Sequence, residues 1–399
     1  TPRDLPTSGY DHIDAERPVE EEELPDDRAD RFYPVHLGEV FKDRYQAIAK
    51  LGFGSSSTTW LARDLRHALS RSTALAHQYV ALKVYGRTSL VHRELPSYHH
   101  IASRITDSSH EGRDNVRRLL DSFTVNGPDG DHIVLVFESA QMSLRDMKVV
   151  FHPEGFDEDF VKGAIIELSK ALDFLHTHGE IVHTDIPSSN MLLGAFDNSI
   201  FKALEEKEHT DPVARKQVSP TRTIYLSRLM RPKLGPMLLS DSGEARIGRG
   251  PHGGDIMPLE YRAPETLLYV GWSRPVDIWS VGLTAWDLLE PKRLFTARDD
   301  DGDLYDAAHL AHMIAALGPP PMKFLAKNPE RRADFWDDEG KWLGLAPIPE
   351  ARTMEALECR SNDKADFLRF IRRTLTWMPQ ERATAKELLE DPWLTGGTR

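Results

Sequence analysis

The spacing of apolar residues changes once along this chain, near residue 140, and the change restricts the folds open to it. Before that point, short runs at 45–51, 58–62, 79–84, 116–125 and 132–138 alternate with Gly, Asp and Asn turn signals. That pattern predicts an antiparallel sheet. From Leu144 onward the helical period takes over, at 160–178, 275–289, 307–317, 364–376 and 384–389, the last stopped by Pro392. A β-rich stretch followed by a helical one predicts an α+β, two-lobed fold: a small antiparallel lobe, then a larger, mainly helical one. The junction at 139–141 is the expected hinge and cleft.

A chain of 399 residues, 40% apolar and 28% charged, has enough material for one large two-lobed domain or two ordinary ones. No apolar run approaches the roughly 18 residues of a membrane helix, so no membrane partner is expected. The lone cysteine, Cys359, excludes an internal disulfide and a cysteine-based zinc cluster. It suits a reducing compartment, cytoplasm or nucleus. The chain begins at Thr1, which leaves open a removed targeting segment.

A net charge of −13 argues against nonspecific nucleic-acid binding, which depends on cations neutralising phosphates, and suits basic partners. Eleven acids, Glu20 to Glu23 among them, stand against three arginines in residues 1–30. That block reads as a solvated, flexible arm. The remaining organisation is a first lobe over 31–140 and a second over 141–399. An insertion at 194–239 carries a helix (199–207) and a Pro- and basic-rich loop (211–222).

Five segments carry chemistry. Leu51, Gly52, Phe53, Gly54, Ser55, Ser56, Ser57 and Thr59 lie between two predicted strands. Glycines there let backbone N–H groups fold closely over phosphates, although a Gly/Ser-rich hairpin has the same composition. Lys83 leaves an apolar strand, Val80-Ala-Leu-Lys83, and reaches phosphates if a carboxylate aligns it. Glu94 is the one acid between Lys83 and Asp107. Pro96, just after it, predicts a helix that is distorted or begins late. In His183-Thr-Asp-Ile-Pro-Ser-Ser-Asn190, Asp185 is placed to take the proton of an attacking hydroxyl and Asn190 to hold a metal ion, while Asp241 would hold Mg²⁺ on nucleotide phosphates. Taken singly, each Asp is an ordinary turn residue; their order along the chain gives them weight.

Tyr261-Arg-Ala-Pro-Glu265, Asp277-Ile-Trp-Ser-Val-Gly282 and Pro379-Gln-Glu-Arg382 complete the pattern. From about Phe32 to Leu394 the chain resembles the eukaryotic protein kinases, with their bilobal fold and one helix in the small lobe. Ser57 stands at the third glycine of the glycine-rich loop and Thr59 at its usual valine. The resemblance implies that Glu265 pairs with Arg382 and Asp277 holds the catalytic-loop backbone. It also implies that Phe137 is the gatekeeper, that Glu138 to Ala140 bind adenine, and that Ala81 and Leu192 line the base pocket. The segment 32–45, Ser57, His-Thr-Asp, Arg262 and 303–318 look like the SR-protein kinases of the CMGC group. Ser240 and its neighbours and the ending 382–394 are similar to their fungal branch. That resemblance implies Mg·ATP-dependent phosphorylation of serines in basic or Arg/Ser-rich proteins, by a chain expected to be a monomer.

The departures from the family pattern are linked. Pro187 replaces the lysine that contacts the transferring phosphoryl group, and Pro258 the threonine that bonds to that lysine. Ser242 replaces the Phe of Asp-Phe-Gly. Thr184 replaces the arginine that grips a phosphorylated activation segment, and between Gly243 and Ala263 the sole hydroxyl side chain is Tyr261. A segment whose shape does not depend on phosphorylation is expected. The acidic positions that dock arginines in SR-protein kinases become Ala308 and Ala315, with Asp299 to Asp301, Asp303 and Asp306 nearby as substitutes or as a plain solvated loop. An active serine/threonine kinase is the leading reading. The alternatives are a pseudokinase scaffold that binds nucleotide without turnover, and a small-molecule phosphotransferase on the same fold.

Overall fold

The computed structural model describes residues 2–25, 31–66, 78–87, 89 and 91–396. They form two compact units. The first comprises Thr1–Ala102, Arg117–Met142 and Leu193–Pro236; the second comprises Ser103–Val116, Ser143–Leu192 and Met237–Arg399.

The first unit is built on a six-stranded sheet: β1 (Val40–Phe41), β2 (Tyr45–Phe53), β3 (Ser57–Asp64), β4 (Tyr79–Tyr85), β5 (Leu119–Gly127) and β6 (Gly130–Glu138). Their order is β1-β2-β3-β4-β6-β5, every pairing antiparallel. Side chains alternate between faces along each strand, so the even-numbered Val80, Leu82, Val84, Val134 and Val136 share one face with Tyr45 and Trp60. The opposite face is covered in two places. Val91 and Tyr98 of helix α1 (Val91–Asp107) meet Tyr85, Leu135 and Phe137, and further along Ile48, Leu61 and Tyr79 meet a second helix.

That second cover comes from the insertion. Ile200, Phe201 and Leu204 of the Ser199–Thr210 helix pack on Ile48, Leu61 and Tyr79, while Tyr225, from the hairpin Arg215–Ser219 with Arg222–Tyr225, joins the other core face. Residues 193–236 thus belong to the sheet-bearing unit, although they follow the second unit's 183–190 loop in sequence. Both faces of the sheet are apolar, and one helix cannot cover them. Gln141 holds the base of the insertion: its amide donates to the carbonyls of Gly194 (2.6 Å) and Lys233 (2.9 Å) and accepts from Lys233 N–H (2.7 Å). A Cβ on Gly235 would lie 1.9 Å from the Gly194 carbonyl oxygen, so that position needs glycine.

Residues 2–25 differ from the solvated arm expected of them. Backbone bonds join Ile13 and Asp11 to Arg215 (3.0 and 3.1 Å), and the Arg215 guanidinium lies 3.8 Å from the Tyr10 ring centroid. Lys50, fully buried in β2, is held by Glu20 (3.2 Å) and Glu21, and Glu22 pairs with Lys216 at 2.9 Å. Glu20 also accepts from Ser227 N–H (2.8 Å) and its hydroxyl (2.7 Å). The reason is physical: a buried ammonium ion requires a counter-charge, and this acidic block supplies two. Asp26, Asp27 and Asp30, counted with the same block, lie outside the described residues.

In the second unit the Glu158–Phe174 helix buries Val161, Ile165, Leu168 and Leu172 on one stripe. The Pro275–Leu289 helix is buried nearly all round, as its apolar run predicts, and packs against both that helix and the Lys364–Thr374 helix. The approach is close enough that a Cβ on Gly282 would lie 2.0 Å from Thr374 Oγ1. Glu265 and Arg382 form a bidentate pair at 2.6 and 2.7 Å with almost no exposure, and Arg382 also donates to the Pro275 carbonyl (2.9 Å).

Candidate active site

Each unit carries its own group of the residues singled out in the sequence. In the first, β2 and β3 pair through Gly52 with Thr59 and Phe53 with Thr58, and Gly54 N–H bonds to the Ser57 carbonyl at 2.8 Å to close the hairpin. Ser55 and Ser56 form its tip, and Phe53 is partly exposed there. Lys83 sits in β4 opposite Thr59 of β3 and Leu135 of β6. Its ammonium lies 5.1 Å from the Tyr85 ring centroid, and the Tyr85 hydroxyl is 3.4 Å from a Glu94 carboxylate oxygen. Helix α1 runs unbroken from Val91 through Pro96, which is exposed, so Glu94 sits in its first turn and the helix does not begin late. The proline forfeits the bond its N–H would have donated to His92. Ala81 and Ala140 are buried, and Phe137 packs edge-on against Tyr98 at 5.4 Å. Glu138 accepts from Arg118 N–H at 2.7 Å through its carboxylate and from Arg117 Nε at 3.1 Å through its carbonyl.

In the second unit the 183–190 loop is held from below by one carboxylate. Asp277, with no exposed surface, accepts from the backbone N–H groups of His183 and Thr184 and from His176 Nε2, each at 2.8 Å. Nothing in the sequence marked His176; a histidine seven residues before His183, at the end of an apolar helix, was the available signal. His183 is buried and neutral: burial pushes its pKa down, its Nε2–H donates to the Ser240 carbonyl (3.1 Å) and its Nδ1 accepts Asp185 N–H (3.4 Å). Thr284, from the same helix as Asp277, donates to the Ile186 carbonyl at 2.5 Å. That contact also went unread, since the threonine lies 98 residues away.

These supports present Asp185 and Asn190 side by side. Asn190 Nδ2 donates to Asp185 Oδ2 at 2.8 Å and to its carbonyl at 3.2 Å, while Ser240 N–H donates to the Asn190 carbonyl at 2.8 Å. Asp241 follows directly, in the left-handed region at φ 59°. Asp185 Oδ1 is buried and has no hydrogen-bond partner among the described residues. Burial first, then the nearby charge of Asp241, pushes the Asp185 carboxyl up to about 6; Asn190 opposes this and Glu244 adds to it. Leu192, two residues beyond Asn190, is half-buried.

The 243–263 segment is tied to this loop by hydrogen bonds. Thr184, at the strained φ of 70°, donates its hydroxyl to the Glu244 carbonyl at 2.9 Å. Arg246–Ile247 pairs with Ile181–Val182, and Gly248 N–H donates to the Glu180 carbonyl at 2.6 Å. Tyr261 is buried, and its hydroxyl donates to the partly buried Asp287.

Mg²⁺ takes one or two protein oxygens and fills its remaining positions with water and substrate phosphates. The donor set fits that habit. Asn190 spends its amide nitrogen on Asp185, which leaves its amide oxygen for a cation beside the Asp241 carboxylate. Bound there, the ion would supply positive charge to nucleotide phosphates.

Residues 239–394 match the protein kinase domain family. The chain is 41% identical to a serine/threonine protein kinase of Aspergillus fumigatus, over 98% of this chain and 95% of that one. It is 29% identical to the serine/threonine-protein kinase SRPK of Physarum polycephalum, over 94% and 91% of the two chains. A crystal structure of a kinase domain matches at a TM-score of 0.67 and 22% identity, covering 91% of this chain and 98% of that one, a likeness of fold. Protein kinases as a family use ATP and Mg²⁺. The chain belongs to the serine/threonine protein kinases, and within them it is similar to the SR-protein kinases.

Proposed function

We propose that this kinase transfers the γ-phosphoryl group of Mg·ATP to serines in basic, Arg/Ser-rich proteins of the cytoplasm or nucleus. Asp185 accepts the proton of the attacking hydroxyl, and Asn190 and Asp241 hold the metal. Lys83, aligned by Glu94, holds nucleotide phosphates under the 51–59 hairpin, and Ala81, Glu138, Ala140 and Leu192 receive the base. The observation that carries this reading is Asp185: one oxygen is oriented by Asn190, and the other is buried with no partner among the described residues. A desolvated acceptor with a vacant lone pair suits a hydroxyl donor arriving with substrate.

Support for a basic substrate is the overall charge of −13 and the exposed Asp300, Asp301 and Asp303. Two other acids of that stretch are already engaged: Asp306 pairs with Arg331 at 2.7 Å, and Asp299 accepts the N–H groups of Asp301 and Asp303.

The test is phosphoryl transfer from Mg·ATP to an Arg/Ser-repeat peptide, with Asp185→Asn and Lys83→Met alongside. Transfer that falls about 100-fold or more in both variants is the expected result. Thermal stabilisation by Mg·ATP with no transfer to this or any basic peptide would instead return the scaffold reading.

A further inference from the structure

A transferring phosphoryl group gathers negative charge on its equatorial oxygens, and enzymes meet it with positioned cations, some supplied in trans by a second protein. The catalytic loop of this kinase offers none, because no Lys or Arg occurs from Asp185 to Asn190. The neighbouring charges that push the Asp185 carboxyl up are Asp241 and Glu244, both acidic. The activation segment does not make up the deficit either. Its three cations are engaged elsewhere: Arg246 with the Glu244 carbonyl (2.5 Å), Arg249 with Glu180 (3.0 Å), and Arg262 with the Met257 carbonyl (3.1 Å) and Asp255 (4.0 Å). Among the described residues of the 183–190 loop and the activation segment, no cation is left to meet a phosphoryl group beside Asp185, whose Oδ2 is held by Asn190.

The geometry points to substrate-assisted transfer: an arginine adjacent to the phosphoacceptor serine supplies the cation that Pro187 leaves out of the loop. This rests on the Arg/Ser-substrate reading and sharpens it, turning the arginine from a docking contact into part of the reaction. In the step itself, the serine oxygen bonds to the γ-phosphorus while the bond from that phosphorus to ADP breaks. ADP keeps the electron pair, and the hydroxyl proton passes to Asp185 Oδ1. The substrate guanidinium is unchanged and serves as a counter-charge to the phosphoryl oxygens. Its effect therefore falls on kcat more than on binding.

The backbone permits a direct test. Pro187 has φ −75° and ψ 162°, extended values open to any residue, and its carbonyl still accepts Asn190 N–H (2.9 Å) whatever side chain it carries. Pro187→Lys restores a loop cation without moving the chain. Two peptides are compared, each with one serine and the same distal arginines, one flanked at the serine by arginine and the other by neutral citrulline. For the unaltered enzyme, kcat on the arginine-flanked peptide should exceed that on the citrulline peptide by about 100-fold, with KM changed far less. Pro187→Lys should raise kcat on the citrulline peptide and shrink the ratio to within about threefold.

Equal kcat on both peptides in the unaltered enzyme overturns the inference and leaves the Arg/Ser reading intact. So does a preference that Pro187→Lys does not reduce. Transfer to neither peptide overturns the Arg/Ser reading and this inference with it. Should Pro187→Lys melt well below the parent, the same question is put to the unaltered enzyme with free guanidinium at non-denaturing concentration. Acceleration confined to the citrulline peptide supports the inference, and no acceleration counts against it.

Discussion

In the 183–190 loop a single buried carboxylate, Asp277, collects three N–H donors, two of them from the loop's own backbone. In the Glu20–Glu23 turn the signs are reversed: the buried groups are the ammonium ions of Lys50 and Lys216, and the carboxylates come to them from a segment that looks like a solvated tail. Both arrangements satisfy the same requirement, that a charge removed from water be matched at close range. They differ in how far the match reaches. Asp277 orders the loop that carries the proposed proton acceptor, whereas the acidic turn fastens residues 2–25 to the sheet and insertion of the first unit.

The comparison is tested most severely at Asp277. Asp277→Ala should strand two backbone N–H groups and His176 in a dry environment, costing about 3–5 kcal/mol, and should lower transfer at least about 100-fold because Asp185 loses its fixed position. Melting temperature and transfer rate, measured together, check this. A variant that keeps the parent's rate would mean that the loop is positioned by other contacts.

The acidic turn should respond in stability alone. Replacing Glu20 and Glu21 together by alanine leaves Lys50 buried and unpaired, for a loss of about 3 kcal/mol. Adding Lys50→Met to the same chain should restore most of it, since a neutral side chain of similar length needs no counter-charge. Denaturant unfolding distinguishes the readings, because a truly solvated arm would change stability by less than about 0.5 kcal/mol.

A third way of meeting the same requirement appears at His309, which is fully buried, donates Nε2–H to the Arg262 carbonyl at 3.0 Å and stays neutral, its pKa pushed down to about 3 by burial. Here the sign is that of a depressed histidine. The unfolded chain takes up the proton near pH 6.5 and the folded one does not. Stability is therefore full above about pH 6.5 and declines as pH falls toward 3. At pH 5 the loss from this residue is about 2 kcal/mol relative to pH 8. His309→Leu should flatten that part of the profile, measured as the pH dependence of the unfolding midpoint; an unchanged slope would show that other groups carry it.

The sheet and most helices were legible because their apolar periods are strong. Four of the expected runs are extended by a residue or two at an end, β5 begins at Leu119 instead of 116, and the Pro275–Leu289 helix has the expected bounds. Thr384 was taken as the first helical residue and is instead the N-cap, in a capping box with Glu387. Asp277 and the Glu265–Arg382 pair were legible through a resemblance that already coupled those positions. Thr284 and Gln141 carried no such sign. Each is an ordinary polar residue whose partner is a backbone carbonyl, and a carbonyl leaves no mark in a sequence.

The order of chemistry-bearing residues, the missing lysine at Pro187 and the hydroxyl-poor activation segment are properties of the chain as written, since they depend on which side chains exist and in what sequence. The fate of Glu20 to Glu22, the placement of 193–236 with the sheet, and the unpartnered oxygen of Asp185 were decided only in three dimensions. Charge and hydrogen-bond satisfaction are pairwise and long-range. A residue's own identity says what partner it needs, and only folding says which one it finds.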